Sequence, residues 1–432
     1  MIEHDSNTVR AVAWSEVFPW LSLVRVFRLA ISLRALLLGA AGILIMATVW
    51  GIIGNICGTD SPATGWLQPF ATCSWKALTE AVPDQPNETL FPSYHESNQG
   101  RLAISARRET IEPMRTSWAL LSAPAWAALS QNNLPARDAA ALLLCGLVGV
   151  AVWAFFGAAI CRMAAVQLAA DEQVGWGPAL RFACQKWPSY CAAPLLPVGG
   201  VLLATIPVLV LGFIMRANFA LLLGIFLWPL ALVAGLFMAL LLLGVLFGWP
   251  LMWATISAEG TDSFDALSRT YAYLFQRPLR YLFYVVVAGF LGWLGWLLVQ
   301  NFAAGVVWMA YWAAGWGSGG EQINLIRTGG EALGGAGSFG AGAIRFWAGC
   351  VKLLAVGYLF SYFWTAAVAI YFLLRRDVDA TEMDEVFLDA DQSEQTFGLP
   401  KVATDQAGAP VVEDDHAPTK PSEVDVLSEP EA

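Results

Sequence analysis

The side chains able to do chemistry are few and lie away from the longest apolar runs. His4, His95 and His416 fall in terminal or polar segments, and their spacing with cysteine makes no zinc pattern. The densest polar constellation sits between two long uncharged stretches. It comprises Glu259, Asp262, Asp265, Arg269 and Arg277, with Leu267 and Tyr271 interleaved. Three carboxylates so spaced could bind a hard cation. They equally suit a helix start, where Asp262 caps exposed N–H groups and Asp265 meets the positive end of the dipole. On that reading, which we expect, Phe264, Leu267, Tyr271, Leu274 and Phe275 form one apolar face and the arginines meet lipid headgroups. The apolar runs carry no acidic residue, so a carboxylate proton relay is not expected. The Gly-rich segment 317–342 lacks the Gly-Lys-Ser/Thr ending of a phosphate-binding loop and reads as a flexible outer loop. No catalytic constellation, metal site or cofactor site is expected.

The elements around this constellation are membrane spans. The chain is 57% hydrophobic and 13% charged, about half the charge of an average soluble domain. Several uncharged runs exceed the roughly 18–20 residues that cross hydrocarbon. We expect an all-α multi-pass membrane protein with about six transmembrane helices and juxtamembrane amphipathic helices. A basic amphipathic helix or simple flank in the segment 1–34 precedes a first, uncleaved span at 35–56. A polar excursion, 57–138, follows on the far side of the membrane, and its stretch Ser117 to Leu129 is apolar but short enough to lie on the interface. A five-helix body, 139–374, completes the membrane part.

Two runs, 217–258 and 281–320, are too long for one straight span. Each could hold one span plus an interfacial piece, with breaks at Trp228-Pro229 and Gln300-Asn301, or two spans. The first arrangement keeps the basic residues on one side. Twelve Lys/Arg then fall at inner positions, against Arg216, Arg327, Arg345 and Lys352 at short outer ones. Both termini are therefore expected in the cytoplasm, across what reads as a bacterial inner membrane. In an oxidising outer compartment Cys57 and Cys73 could form a disulfide; two separate thiols are the alternative. From Asp377 onward the chain holds 16 acidic residues against Lys401 and Lys420. The segment 375–432 is expected to be a disordered acidic tail, and nothing forms a nucleic-acid footprint.

The constellation has a fainter copy 87 positions earlier: Glu172 matches Glu259, Ala179 matches Ala266, and Leu180 matches Leu267. In each copy a basic residue and a proline, Pro188 or Pro278, precede a new apolar run, which suggests a repeated helical hairpin. The run Glu259, Ala266, Leu267, Ser268, Arg269 resembles the membrane-domain modules attached to some bacterial glycerophosphodiester phosphodiesterases and related multi-pass inner-membrane proteins. The soluble catalytic domain of that family has no counterpart here, so its activity is not implied. Two function classes follow. One is a non-enzymatic membrane component that organises lipids or partner proteins through the outer loop and acidic tail. The other is a permease for an uncharged or lipid-like substrate passing the proline-kinked third and fourth spans, with Thr205, Thr255, Gln300 and Asn301 as its polar groups.

Overall fold

The computed structural model describes residues 19–83, 113–131, 134–216, 221–328, 333–383 and 385–387. Among these there are eleven α-helices and no strand. They are α1 (Ser22–Ala30), α2 (Leu33–Cys57), α3 (Gln68–Thr79), α4 (Pro113–Leu129), α5 (Ala136–Ala170), α6 (Trp176–Ile214), α7 (Leu221–Glu259), α8 (Ser263–Gln276), α9 (Pro278–Ser318), α10 (Gly320–Thr328) and α11 (Gly334–Asp379). Six of them, α2, α5, α6, α7, α9 and α11, are long and apolar enough to cross a membrane. The chain is an all-α, multi-pass membrane protein.

Burial orders these spans from centre to edge. In α11 the apolar window is 94% buried, whereas the windows of α6 and α7 are 11% and 6% buried. α11 packs against α2, α5, α7 and α9, and also against the short helices α1 and α4. Its crossing with α2 requires glycine. A methyl at Gly357 would come within 2.5 Å of the Leu36 carbonyl oxygen, and one at Gly39 would overlap the Gly357 carbonyl. Small residues here let two backbones touch, the usual means of helix association where lipid removes the hydrophobic driving force. Above this crossing an aromatic stack fills the core. Trp364 lies flat on Trp253 with centroids 4.6 Å apart, Trp249 meets it edge-on, and Trp153 stacks on Phe360.

Several segments differ from the sequence expectation. α7 runs unbroken through Trp228-Pro229, with Pro229 and Pro250 inside it. A proline removes one backbone donor, but a full break in hydrocarbon would strand several. α9 likewise continues through Gln300-Asn301; Gln300 is buried and Asn301 Nδ2 donates to the Leu297 carbonyl at 2.7 Å. Over the described residues, one helix thus fills the first run from Leu221 on and another fills the second as far as Ser318. The Gly-rich segment 317–342 is not a loop throughout, because α10 and the start of α11 occupy most of it. The stretch Ser117 to Leu129 does not rest on the interface alone: α4 is inserted among α5, α9 and α11. Ser117 Oγ donates to the Leu359 carbonyl at 3.1 Å, and Trp118 Nε1 to the Leu246 carbonyl at 3.2 Å. The two copies of the repeat also diverge. Pro188 lies inside α6, whereas Arg277 leaves helical geometry (φ −133°, ψ 53°) and Pro278 opens α9, as a residue ahead of proline tends to do.

α8 forms as its cap residues require, and its packed face overlaps the expected one only in part. The Asp262 carboxylate accepts from the Asp265 N–H at 2.9 Å. Ala266, Thr270, Tyr273 and Leu274 are buried, while Phe264 and Phe275 are 69% and 45% exposed. Leu267 and Tyr271 lie at the edge of the packed face. The reason is that α8 folds back along α7 instead of lying flat. Thr270 sits against Gly248, where a methyl would come within 2.8 Å of its Cγ2, and Tyr271 Oη donates to the Leu241 carbonyl at 2.6 Å. Tyr273→Ala should therefore cost about 3 kcal/mol or more of stability, and Phe264→Ala about 0.5 kcal/mol or less. Thermal unfolding in detergent compares the two, and equal losses would contradict this face.

Candidate functional site

The constellation read from sequence becomes one half of a polar cluster that joins α7, α8 and α11. Glu259 is the last residue of α7, and Gly260 turns the chain with φ +65°. Lys186 Nζ, from α6, donates to the Gly260 carbonyl at 2.6 Å and pins that turn. The Glu259 carboxylate then collects three partners. Arg269 Nη1 lies 2.8 Å from Oε2, Arg375 Nη1 lies 3.7 Å from Oε1, and the Tyr371 hydroxyl donates to Oε1. Asp265 adds a second carboxylate to Arg269 at 3.2 Å. Burial pulls the Arg269 pKa down, but Glu259 and Asp265 outweigh it and the net shift is upward. The carboxylates therefore converge on a guanidinium, and Asp262 is spent on its cap. Arg277 takes no part; it is the hinge between α8 and α9.

The other half of the cluster was not expected. Tyr273 donates to Asp379, and its pKa is raised by burial and then by that carboxylate. Asp377 accepts from Tyr284 Oη at 2.8 Å and pairs with Arg280 at 2.8 Å. Arg375, 4% exposed, donates to the carbonyls of Glu382 at 3.0 Å and Glu385 at 2.6 Å. The chain beyond α11 is thereby strapped under the body. Phe387 N donates to the Ala258 carbonyl at 2.8 Å, and its ring covers Gly260, where a methyl would come within 2.7 Å. The tail boundary drawn at 375 is thus too early: 375–379 are helical, and the packed strap reaches Phe387. Residues 388–432 lie outside the described residues, as do His4, His95 and His416.

No family model, curated protein or solved structure matches the chain.

Arg162, one of the twelve basic residues counted at inner positions and taken as the end of a span, departs most from the sequence reading. It is fully buried. Its Nη1 donates to the Ser257 carbonyl at 2.9 Å, and its guanidinium lies 4.3 Å over the Phe182 ring. Ser257 and Tyr190 share a hydroxyl hydrogen bond of 2.7 Å, and Trp253 Nε1 donates to the Tyr190 carbonyl at 2.8 Å. A signal was present: Met163 to Ala170, beyond the arginine, carry no charge, so the helix continues apolar past the residue taken as its end. Cys57 and Cys73 are free thiols, not a disulfide. Cys57 ends α2, and Cys73 occupies a kink in α3 (φ −164°, ψ 99°).

Chemically, the cluster offers paired charges and capped hydroxyls, an arrangement that fastens helices. Its acids are consumed by arginines and tyrosines. Truncation after Arg376 should thus remove Asp377, Asp379 and the strap and lower stability by several kcal/mol, since it strands buried partners at about 1–3 kcal/mol each. Truncation after Phe387 keeps all of these contacts. Unfolding midpoints of the two truncations against the full chain test this, and equal midpoints would mean that the strap holds nothing.

Proposed function

We propose that this protein is a non-enzymatic membrane component that organises lipids or partner proteins around the α6–α7 hairpin. The observation that carries the reading is the contrast between a buried α11 and two neighbouring spans whose apolar windows are only 11% and 6% buried. Leu202, Leu203 and Leu209 on α6, and Leu232, Leu236 and Phe237 on α7, are each more than half exposed. Such a surface has to be covered by acyl chains or by another membrane protein. The hairpin is tied to the body at its charged end, where Arg162 of α5 donates to the Ser257 carbonyl and Arg375 of α11 faces Glu259.

The permease reading has less support. Thr205 donates to the Val201 carbonyl and Thr255 to the Leu251 carbonyl, each on its own helix. Each hydroxyl thus has a partner on its own backbone, and that of Thr205 also meets the Met238 sulfur at 3.3 Å. We place the Glu259 cluster on the cytoplasmic side, from the excess of arginine there. Reporter fusions at Gly100 and after Phe387 should then report opposite sides. Purification in mild detergent, followed by identification of co-purifying lipid and protein, tests the function. The reading expects stoichiometric lipid or a partner, lost when Leu203 and Leu236 are both changed to Ser. A chain that purifies bare, or that catalyses uptake in proteoliposomes, would overturn it.

A further inference from the structure

At the α1–α2 turn the structure holds a cavity of about 80 Å³ whose polar lining is Arg28, Ser32, Arg34, Gln167, Gln173 and Thr365. Two guanidiniums share this wall, and no carboxylate is among the lining residues. Like charges brought to one small cavity repel unless an anion joins them. The adjoining acid, Asp171, is already paired with Arg25 at 2.8 Å. That pair, with the bond from Arg34 Nη1 to the Val174 carbonyl at 3.1 Å, draws the α5–α6 link across the cavity and fixes its shape. Arg28, by contrast, makes no ion pair among the described residues. The two glutamines and the serine add neutral donors, and every one of these groups suits a phosphate oxygen.

We infer that this cavity binds the phosphate of an anionic phospholipid headgroup. The choice of a lipid over a soluble phosphate rests on the rest of the lining. Ile160 and Met163, from the span α5, and Ala35, from the first turn of the span α2, form the apolar side of the same cavity. A phosphate seated there lies at the ends of two membrane spans, the level at which lipid headgroups sit. The site lies apart from the exposed faces of the α6–α7 hairpin and does not depend on what covers them.

The test is native mass spectrometry of the full chain from mixed micelles titrated with phosphatidylglycerol. Diacylglycerol, which has the same tails without phosphate, is the comparator. Wild type should retain phosphatidylglycerol and not diacylglycerol. Arg28→Gln, at an exposed side chain, should weaken retention about tenfold, the scale of one charge-assisted hydrogen bond, and Arg28→Lys should recover part of it. Excess inorganic phosphate should leave the lipid bound. Displacement by inorganic phosphate would assign the cavity to a soluble anion and overturn the lipid assignment. Equal retention of diacylglycerol, or of phosphatidylglycerol by Arg28→Gln, would remove the site altogether.

Discussion

Glu259→Ala should destabilise the protein by about 3–5 kcal/mol, the loss expected when one partner is removed from a buried ion pair. The carboxylate side chain is 14% exposed and Arg375 only 5%. Its removal leaves the Arg375 guanidinium without its carboxylate and the Tyr371 hydroxyl without its acceptor. Arg269→Gln should cost far less, about 1 kcal/mol or under, because Arg269 is 41% exposed and Glu259 keeps its other two partners. Thermal unfolding in detergent separates the two variants. If Glu259→Ala and Arg269→Gln shift the midpoint equally, the carboxylate is not the centre of the cluster.

The second large effect lies at the α2–α11 crossing. Gly357→Leu should prevent close approach of the two helices, with a loss of about 3 kcal/mol or more, at the upper end of overpacking costs. The nearest atoms are backbone, Leu36 O at 2.5 Å and Ala40 N at 2.8 Å, so no side chain can move aside. Gly199→Leu and Gly235→Leu, on the exposed hairpin where an added Cβ meets nothing within 4 Å, serve as controls. They should be neutral or slightly stabilising, as a helical glycine is replaced by a better helix former. A Gly357→Leu protein as stable as these controls would show that α2 and α11 do not cross as described.

Hydropathy carried the six spans, because a continuous apolar helix is the one solution for each long uncharged run and its signal is local. It misjudged where those helices end. Proline at 229, or the amide pair at 300 and 301, interrupts composition without ending the helix. Periodicity found α8, its cap at Asp262 and part of its packed face, Leu267, Tyr271 and Leu274, but included Phe264 and Phe275, which are exposed. What decides its orientation is Thr270 fitting against Gly248 and Tyr273 reaching Asp379, pairings distant in sequence. The acids at 259 and 265 were recognisable as helix-start charges, but nothing local pairs Glu259 with the arginine at 375. Charge counting treats every arginine as exposed, so it gave no hint that Arg162 and Arg375 are buried. The strap to Phe387 had no signal at all, since its contacts are mostly backbone carbonyls and an amide.

The arrangement of one buried span beside an exposed hairpin is tested most directly by photolabelling the full chain in nanodiscs with an apolar carbene probe that dissolves in the acyl chains. Peptide mapping should find heavy labelling at Leu202, Leu203 and Leu209 of α6 and at Leu236 and Phe237 of α7, with little from Tyr358 to Ile370 of α11. Labelling of that α11 segment to the same extent as α6 and α7 would contradict the account.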